Sequence, residues 1–137
     1  MNEWISISQF KHGYGRNFPF DSILYRTVLE QKKTGRTRVE IIIPRPISIK
    51  AGIDIGTRVD VLYNPKSKEM RIKLLQRNEK GFNVINHNKK HVPALRVRIQ
   101  FNYYDDSQLP KTDNKNMFIN KYEIKDGLIF CVNGAIG

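Results

Sequence analysis

Five cationic side chains recur at alternate positions along three segments: Arg58, then Arg71 and Lys73, then Arg96 and Arg98. Val59 and Val61 alternate with the first, Met70, Ile72 and Leu74 with the second pair, and Val97 and Ile99 with the third. On β-strands this spacing puts every cation on the polar side, opposite a buried row. Aligned on adjacent strands, the five would form a positive ridge suited to backbone phosphates, each contact adding to a salt-dependent affinity. The competing reading is a solvated strand face.

Other constellations point away from catalysis. His87 and His91 are four apart, but they sit in an Asn/Lys-rich loop without a neighbouring thiol or carboxylate to complete a metal site. Asp105 and Asp106 lie in a Ser/Gln/Pro stretch, where adjacent acids are ordinarily solvated. Gly13-Tyr14-Gly15 lacks the strand and helix that a nucleotide-binding glycine loop needs. The chain contains no phosphate-binding Walker loop and no nucleophile elbow. Cys131, the single cysteine, sits in an apolar run and reads as a small core side chain. No enzymatic activity, metal or cofactor is expected.

The elements that must position the cations follow from composition and pattern. The chain has 137 residues, 39% hydrophobic and 27% charged, which suits one globular domain. It carries 24 basic against 13 acidic residues, a formal net charge of +11. The excess stops at residue 100, because the last 37 residues hold four basic and five acidic groups. A basic surface of this kind suits a polyanionic partner, foremost nucleic acid. No run approaches 18 apolar residues, and the N-terminus lacks the pattern of a signal peptide. The expectation is a soluble cytoplasmic protein without a membrane partner.

Strands dominate the pattern. Val39, Ile41 and Ile43 alternate up to Pro44. Residues 58–75 read as a hairpin around Asn64–Lys68, Phe82 to Ile85 as a short strand, and Leu95 to Tyr103 as the longest alternation. Asp126-Gly127 marks a further hairpin between Tyr122 and Val132. Residues 22–33 fit either a helix or a strand. Polar stretches 86–91 and 105–116 read as loose excursions between strands. Six of the fourteen aromatics (Trp4, Phe10, Tyr14, Phe18, Phe20 and Tyr25) fall near the N-terminus, among Lys11, His12, Arg16 and Arg26. They read as an arm packed on the domain or on a second subunit, or as a platform for unpaired bases.

The most specific pattern is IIIPRPISIKAGIDIGTRVDVLY. Pro44 ends a strand, a helix of one or two turns follows at about residues 46–51, Gly52 closes it, Ile53 plugs the core and Gly56 makes a tight turn. Through Pro44, Ile47, Gly52, Ile53, Gly56, Val59 and Val61 the segment 38–75 resembles the AbrB/SpoVT/MazE-type swapped-hairpin domain. The resemblance implies a homodimer of interleaved hairpins that grips duplex DNA through a basic face, or, as in antitoxins of this family, holds a protein. It assigns the local DNA-contacting role to Arg38, Arg45, Lys50 and Arg58. Glu40, Ser48, Ile49 and Thr57 stand where the family carries other residues, the first three in place of basic ones and Thr57 in place of Asp. The overall expectation is a mainly β chain. An N-terminal arm (1–36) precedes a single small β-barrel (37–137), which joins the AbrB-like segment to C-terminal strands within 92–133 and an extra hairpin; these strands could complete the barrel within one chain, so a monomer stands beside the homodimer as an alternative. Its expected role is DNA binding and transcription regulation, with Arg38, Arg45, Lys50, Arg58, Arg71, Lys73, Arg96 and Arg98 on the nucleic acid. The alternatives are a protein-binding module and an RNA or single-strand binder.

Overall fold

In a computed structural model, alternating burial along nearly every described segment resolves into ten strands and one short helix among the described residues. The structure describes residues 22–76, 78–87, 95–103, 109–112 and 114–132. The elements are β1 (Ile23–Gln31), β2 (Arg36–Pro44), α1 (Arg45–Lys50), β3 (Arg58–Asn64), β4 (Glu69–Leu74), β5 (Phe82–Asn83), β6 (Ile85–Asn86), β7 (Arg96–Tyr103), β8 (Met117–Ile119), β9 (Tyr122–Ile124) and β10 (Gly127–Cys131). They form two antiparallel five-stranded sheets. Sheet I has the order β6-β7-β2-β1-β8 and sheet II the order β5-β3-β4-β10-β9. The C-terminal strands therefore flank the earlier hairpins: β7 pairs with β2, β8 with β1, and β10 with β4.

One core lies between the sheets. Ile23, Tyr25, Val39, Ile41, Ile43, Val97 and Ile99 enter it from sheet I, and Val59, Met70, Ile72, Leu128 and Phe130 from sheet II. Each such side chain contributes roughly 1.5–3 kcal/mol by leaving water. Phe82 of β5 and Phe101 of β7 stack with centroids 4.6 Å apart, stapling the two sheets at one edge. The chain changes sheets there at the buried Val84, between β5 and β6, and at the opposite edge at residues 120 and 121, between β8 and β9.

The sheets do not close into the expected barrel. Period-two burial dictates which side chains face inward, and a sandwich and a barrel share that requirement. Closure depends on ladders between edge strands, and here those strands are only two or three residues long, with the chain turning a corner in place of pairing. The short helix does form. Pro46 is tolerated in its first turn, where no backbone N–H is needed. The helix ends in a Schellman arrangement: the Gly52 N–H donates to the Ile49 carbonyl (3.1 Å) and the Ile53 N–H to the Ser48 carbonyl (2.8 Å), with Gly52 at φ 79°.

Three regions differ from expectation. Residues 22–36, placed in the arm, form β1 and the turn into β2, and Ile23 and Tyr25 are fully buried. The β-branched residues that left this segment ambiguous settle as strand because β2 and β8 flank it. Part of the supposed excursion 105–116 is tied down. Thr27 and Thr112, both buried, exchange N–H···Oγ1 bonds of 2.9 and 2.8 Å, and the Tyr25 hydroxyl donates to the Pro110 carbonyl at 2.8 Å. Cys131 is exposed, because the β10 register turns Leu128 and Phe130 inward and Cys131 out. Trp4 to Phe20, His91, Asp105 and Asp106 lie outside the described residues.

Candidate functional site

The core between the sheets leaves two outer faces pointing apart, and the eight candidate cations divide between them and α1. Arg38 on β2 and Arg96 and Arg98 on β7 share the outer face of sheet I. Arg58 on β3 and Arg71 and Lys73 on β4 share the outer face of sheet II. Arg45 and Lys50 bound α1. The five-residue ridge is thus split by the thickness of the core, since alternation places a side chain on one side of its own sheet only.

Sheet I gathers the stronger basic face. The register sets Arg26 across from Glu40 and Glu40 across from Gln100; one row on, Val28, Arg38 and Asn102 align. On the other side, Leu24, Ile42, Arg98 and Ile85 form a row, followed by Pro44 and Arg96; Leu24, Ile42 and Pro44 are buried, so this part of the face is covered and the open part lies toward Gln100 and Asn102. On the face as a whole, Arg26, Arg36, Arg38, Arg96 and Arg98 stand against Glu30 and Glu40. Arg26 and Glu40 were absent from the candidate set; they are 14 residues apart and meet only through the β1–β2 hairpin. The signal that finds them is the Lys32–Gly35 turn between two strand-like runs.

Glu40 organises this face. Its side chain is almost fully buried, yet Arg26 holds it through Nε (3.0 Å) and a terminal nitrogen, and Arg38 Nε lies 3.1 Å from its other oxygen. Burial alone would raise its pKa, but the Arg26 hydrogen bond and the charges of Arg26, Arg38 and Arg98 prevail and hold the carboxyl below its ordinary value. Glu30 adds ion pairs with Arg38 and, at 3.7 Å, with Arg36. Arg98 makes no ion pair among the described residues. His87, beside Arg96 and Arg98, is pushed down by burial and then by their two charges, so its ring stays neutral at pH 7.

Elsewhere the candidate cations are differently placed. Arg45 pairs with Asp54 at 3.2 Å, Arg71 reaches the highly exposed Asp126 only at 3.9 Å, and Lys73 and Lys50 are solvent-exposed. Arg58 lines an open cleft of ≈ 300 Å³ with Gly56, Thr57, Leu75 and Asn83. Across the outer face of sheet II, Arg58, Arg71 and Lys73 are matched by Asp60, Glu69 and Glu123. Ser48 is buried, with its hydroxyl donating to the Arg45 carbonyl at 3.2 Å, while Ile49 is exposed. Thr57 Oγ1 accepts the Asp54 N–H at 2.9 Å and shapes the turn at Gly56. Among the described residues no group of three His, Cys, Asp or Glu side chains could hold a metal ion, and no helix is long and apolar enough to cross a membrane. No protein-family model, curated protein or solved structure matches the chain.

Proposed function

We propose that this chain is a cytoplasmic nucleic-acid-binding protein, regulatory in role, that docks duplex DNA on the outer face of sheet I. In this reading residues 38–75 are an AbrB-like segment built into a larger sandwich. The observation that carries the proposal is the charge on that face: it holds five arginines against two acids, and one of those acids, the buried, ionised Glu40, orients Arg26 and Arg38. Guanidinium groups held in this way present donors to phosphate oxygens with less side-chain freedom to lose on binding. In this reading Arg98 and the half-buried Arg96 add charge beside Arg26 and Arg38, which Glu40 holds in place. The candidates of sheet II and α1 contribute long-range attraction.

The test is binding of the wild-type chain to a random-sequence duplex over a salt series. Two to four neutralised phosphates give a slope of log affinity against log salt of about −2 to −4. Absence of salt-sensitive binding at low ionic strength overturns the proposal, and binding to RNA or single strands in place of duplex changes the ligand. A second reading draws on the surface near α1, where Ile49, Ile55 and Leu95 are exposed around the Arg45–Asp54 pair and the Arg45 N–H donates to the Leu95 carbonyl. Exposed apolar side chains grouped in this way suit a protein partner. Ile49→Asp would then abolish capture of that partner and leave DNA binding intact.

A further inference from the structure

We propose that β7 is a readout strip for the major groove of duplex DNA, with Arg96 and Arg98 on backbone phosphates and Gln100 and Asn102 on base edges. The inference rests on the DNA-docking reading and adds sequence recognition to it. β7 presents Arg96, Arg98, Gln100 and Asn102 in one column on the outer face, while Val97, Ile99 and Tyr103 are buried in the core. Beyond Arg98 no strand pairs with the outer side of β7 among the described residues, so Gln100 and Asn102 stand on a sheet edge. Both are exposed, and neither side-chain amide has a hydrogen-bond partner among the described residues. That sets them apart from Asn64, whose amide oxygen accepts the Lys66 and Ser67 N–H groups and builds a turn, and from Asn116, which bonds Arg26.

The dimensions agree with a groove. A strand advances about 3.4 Å per residue, and B-DNA rises about 3.4 Å per base pair. The groove runs oblique to the axis, so alternate side chains of β7 step by about one to two base pairs when the strand follows it. At Gln100 and Asn102 the sheet continues through β2 to β1, so β7 enters the major groove edge first, and a width of about 12 Å admits that edge strand with β2 at a spacing of roughly 4.8 Å. The column divides by chemistry. Arginines at its start bring charge to the backbone. Uncharged amides at its end add nothing to salt-dependent attraction, and Asn and Gln side chains match the N6–H donor and N7 acceptor of adenine in a bidentate pair. Gln100 lies across from Glu40, whose charge Arg26 and Arg38 already match, so no unpaired anion repels the duplex there.

The experiment selects from a pool of randomised 20-base-pair duplexes with the wild-type chain, then measures affinity for the enriched duplex and a scrambled one. The wild type is expected to enrich adenines at two positions about one to two base pairs apart. Gln100→Ala with Asn102→Ala should cut the preference for the enriched duplex by about 10-fold or more, with the salt slope unchanged. Arg96→Ala with Arg98→Ala should weaken binding to both duplexes and flatten the slope by about 2. Circular dichroism and a thermal melt check that both variants fold. If the wild type binds duplexes with salt dependence but selects no sequence, or the amide variant keeps the preference, the readout is overturned while DNA docking stands. If the wild type binds no duplex, both fail.

Discussion

The two outer faces of the sandwich share one sequence pattern and differ in electrostatic outcome. On both, cations alternate with buried apolar residues. On sheet II, cross-strand register sets Asp60 beside Lys73, and Glu69 and Glu123 offset the remaining cations, leaving a near-neutral exposed surface. On sheet I the carboxylate lies on the outer face itself but is buried there and matched by Arg26 and Arg38, so the cations beyond that pair, Arg36, Arg96 and Arg98, leave the face with a net positive charge. Cation alternation alone therefore does not define a polyanion site. The placement of the acids, and whether they are buried or exposed, decides it.

The comparison assigns sheet II a supporting role, and the largest expected effect tests that support. Gly127 sits at φ 113°, and a β-carbon there would lie 2.0 Å from the Ile72 carbonyl oxygen. Gly127→Val should push β10 off β4 and cost about 3 kcal/mol or more, lowering Tm by about 10 °C. A melt within about 3 °C of wild type would contradict this close packing of β10 on β4.

A smaller effect separates the acids of the two faces. Glu40→Gln leaves Arg26 and Arg38 crowded without their counter-charge and should cost about 2 kcal/mol in denaturant unfolding. Glu123→Gln, at an exposed position of sheet II, should stay within about 0.5 kcal/mol. Equal costs would remove the distinction between a buried organiser and surface acids.

The smallest effects are in pH dependence. Glu40 is held below its ordinary value in the folded state, so the unfolded chain binds the proton first as pH falls. Its contribution is full above the unfolded carboxyl value of 4.5 and is lost on acidification through the lower folded value. His87 is also held down, so the unfolded chain takes its proton near pH 6.5 while the folded chain resists, and stability declines gently below that pH. His87→Gln should flatten the slope between pH 7 and 5 and leave the loss below 4.5, and Glu40→Gln should do the reverse. Urea midpoints across pH 3–8 check both signs.

How far the sequence carried the fold differs by element. The β3–β4 hairpin, the helix between Pro44 and Gly52 and the turn at Asp126-Gly127 follow from local chemistry: alternation, proline placement and residues suited to positive φ. Sheet membership does not, because the second partners of β2 and β4, the strands β7 and β10, lie far along the chain and no local propensity encodes them. The same limit hid the Glu40 network. Glu40 looked like a departure from a basic pattern, and only the pairing of Arg26 with Glu40 makes it the centre of the face. Cys131 was misplaced for a related reason: an uninterrupted apolar run conceals its own period until a neighbouring strand sets the register.

The central claim, that the basic face is the one on sheet I, is tested most directly by reversing charge on each face in turn. Arg96→Glu with Arg98→Glu and Arg71→Glu with Lys73→Glu remove equal charge, so non-specific attraction falls alike in both. Fluorescence anisotropy with a labelled duplex, at salt from 50 to 200 mM, reports affinity and slope, with melts confirming that both fold. The sheet I variant should lose about 30-fold or more in affinity with a slope shallower by about 2, and the sheet II variant about 3-fold or less. Equal losses, or the larger loss on sheet II, would contradict the account.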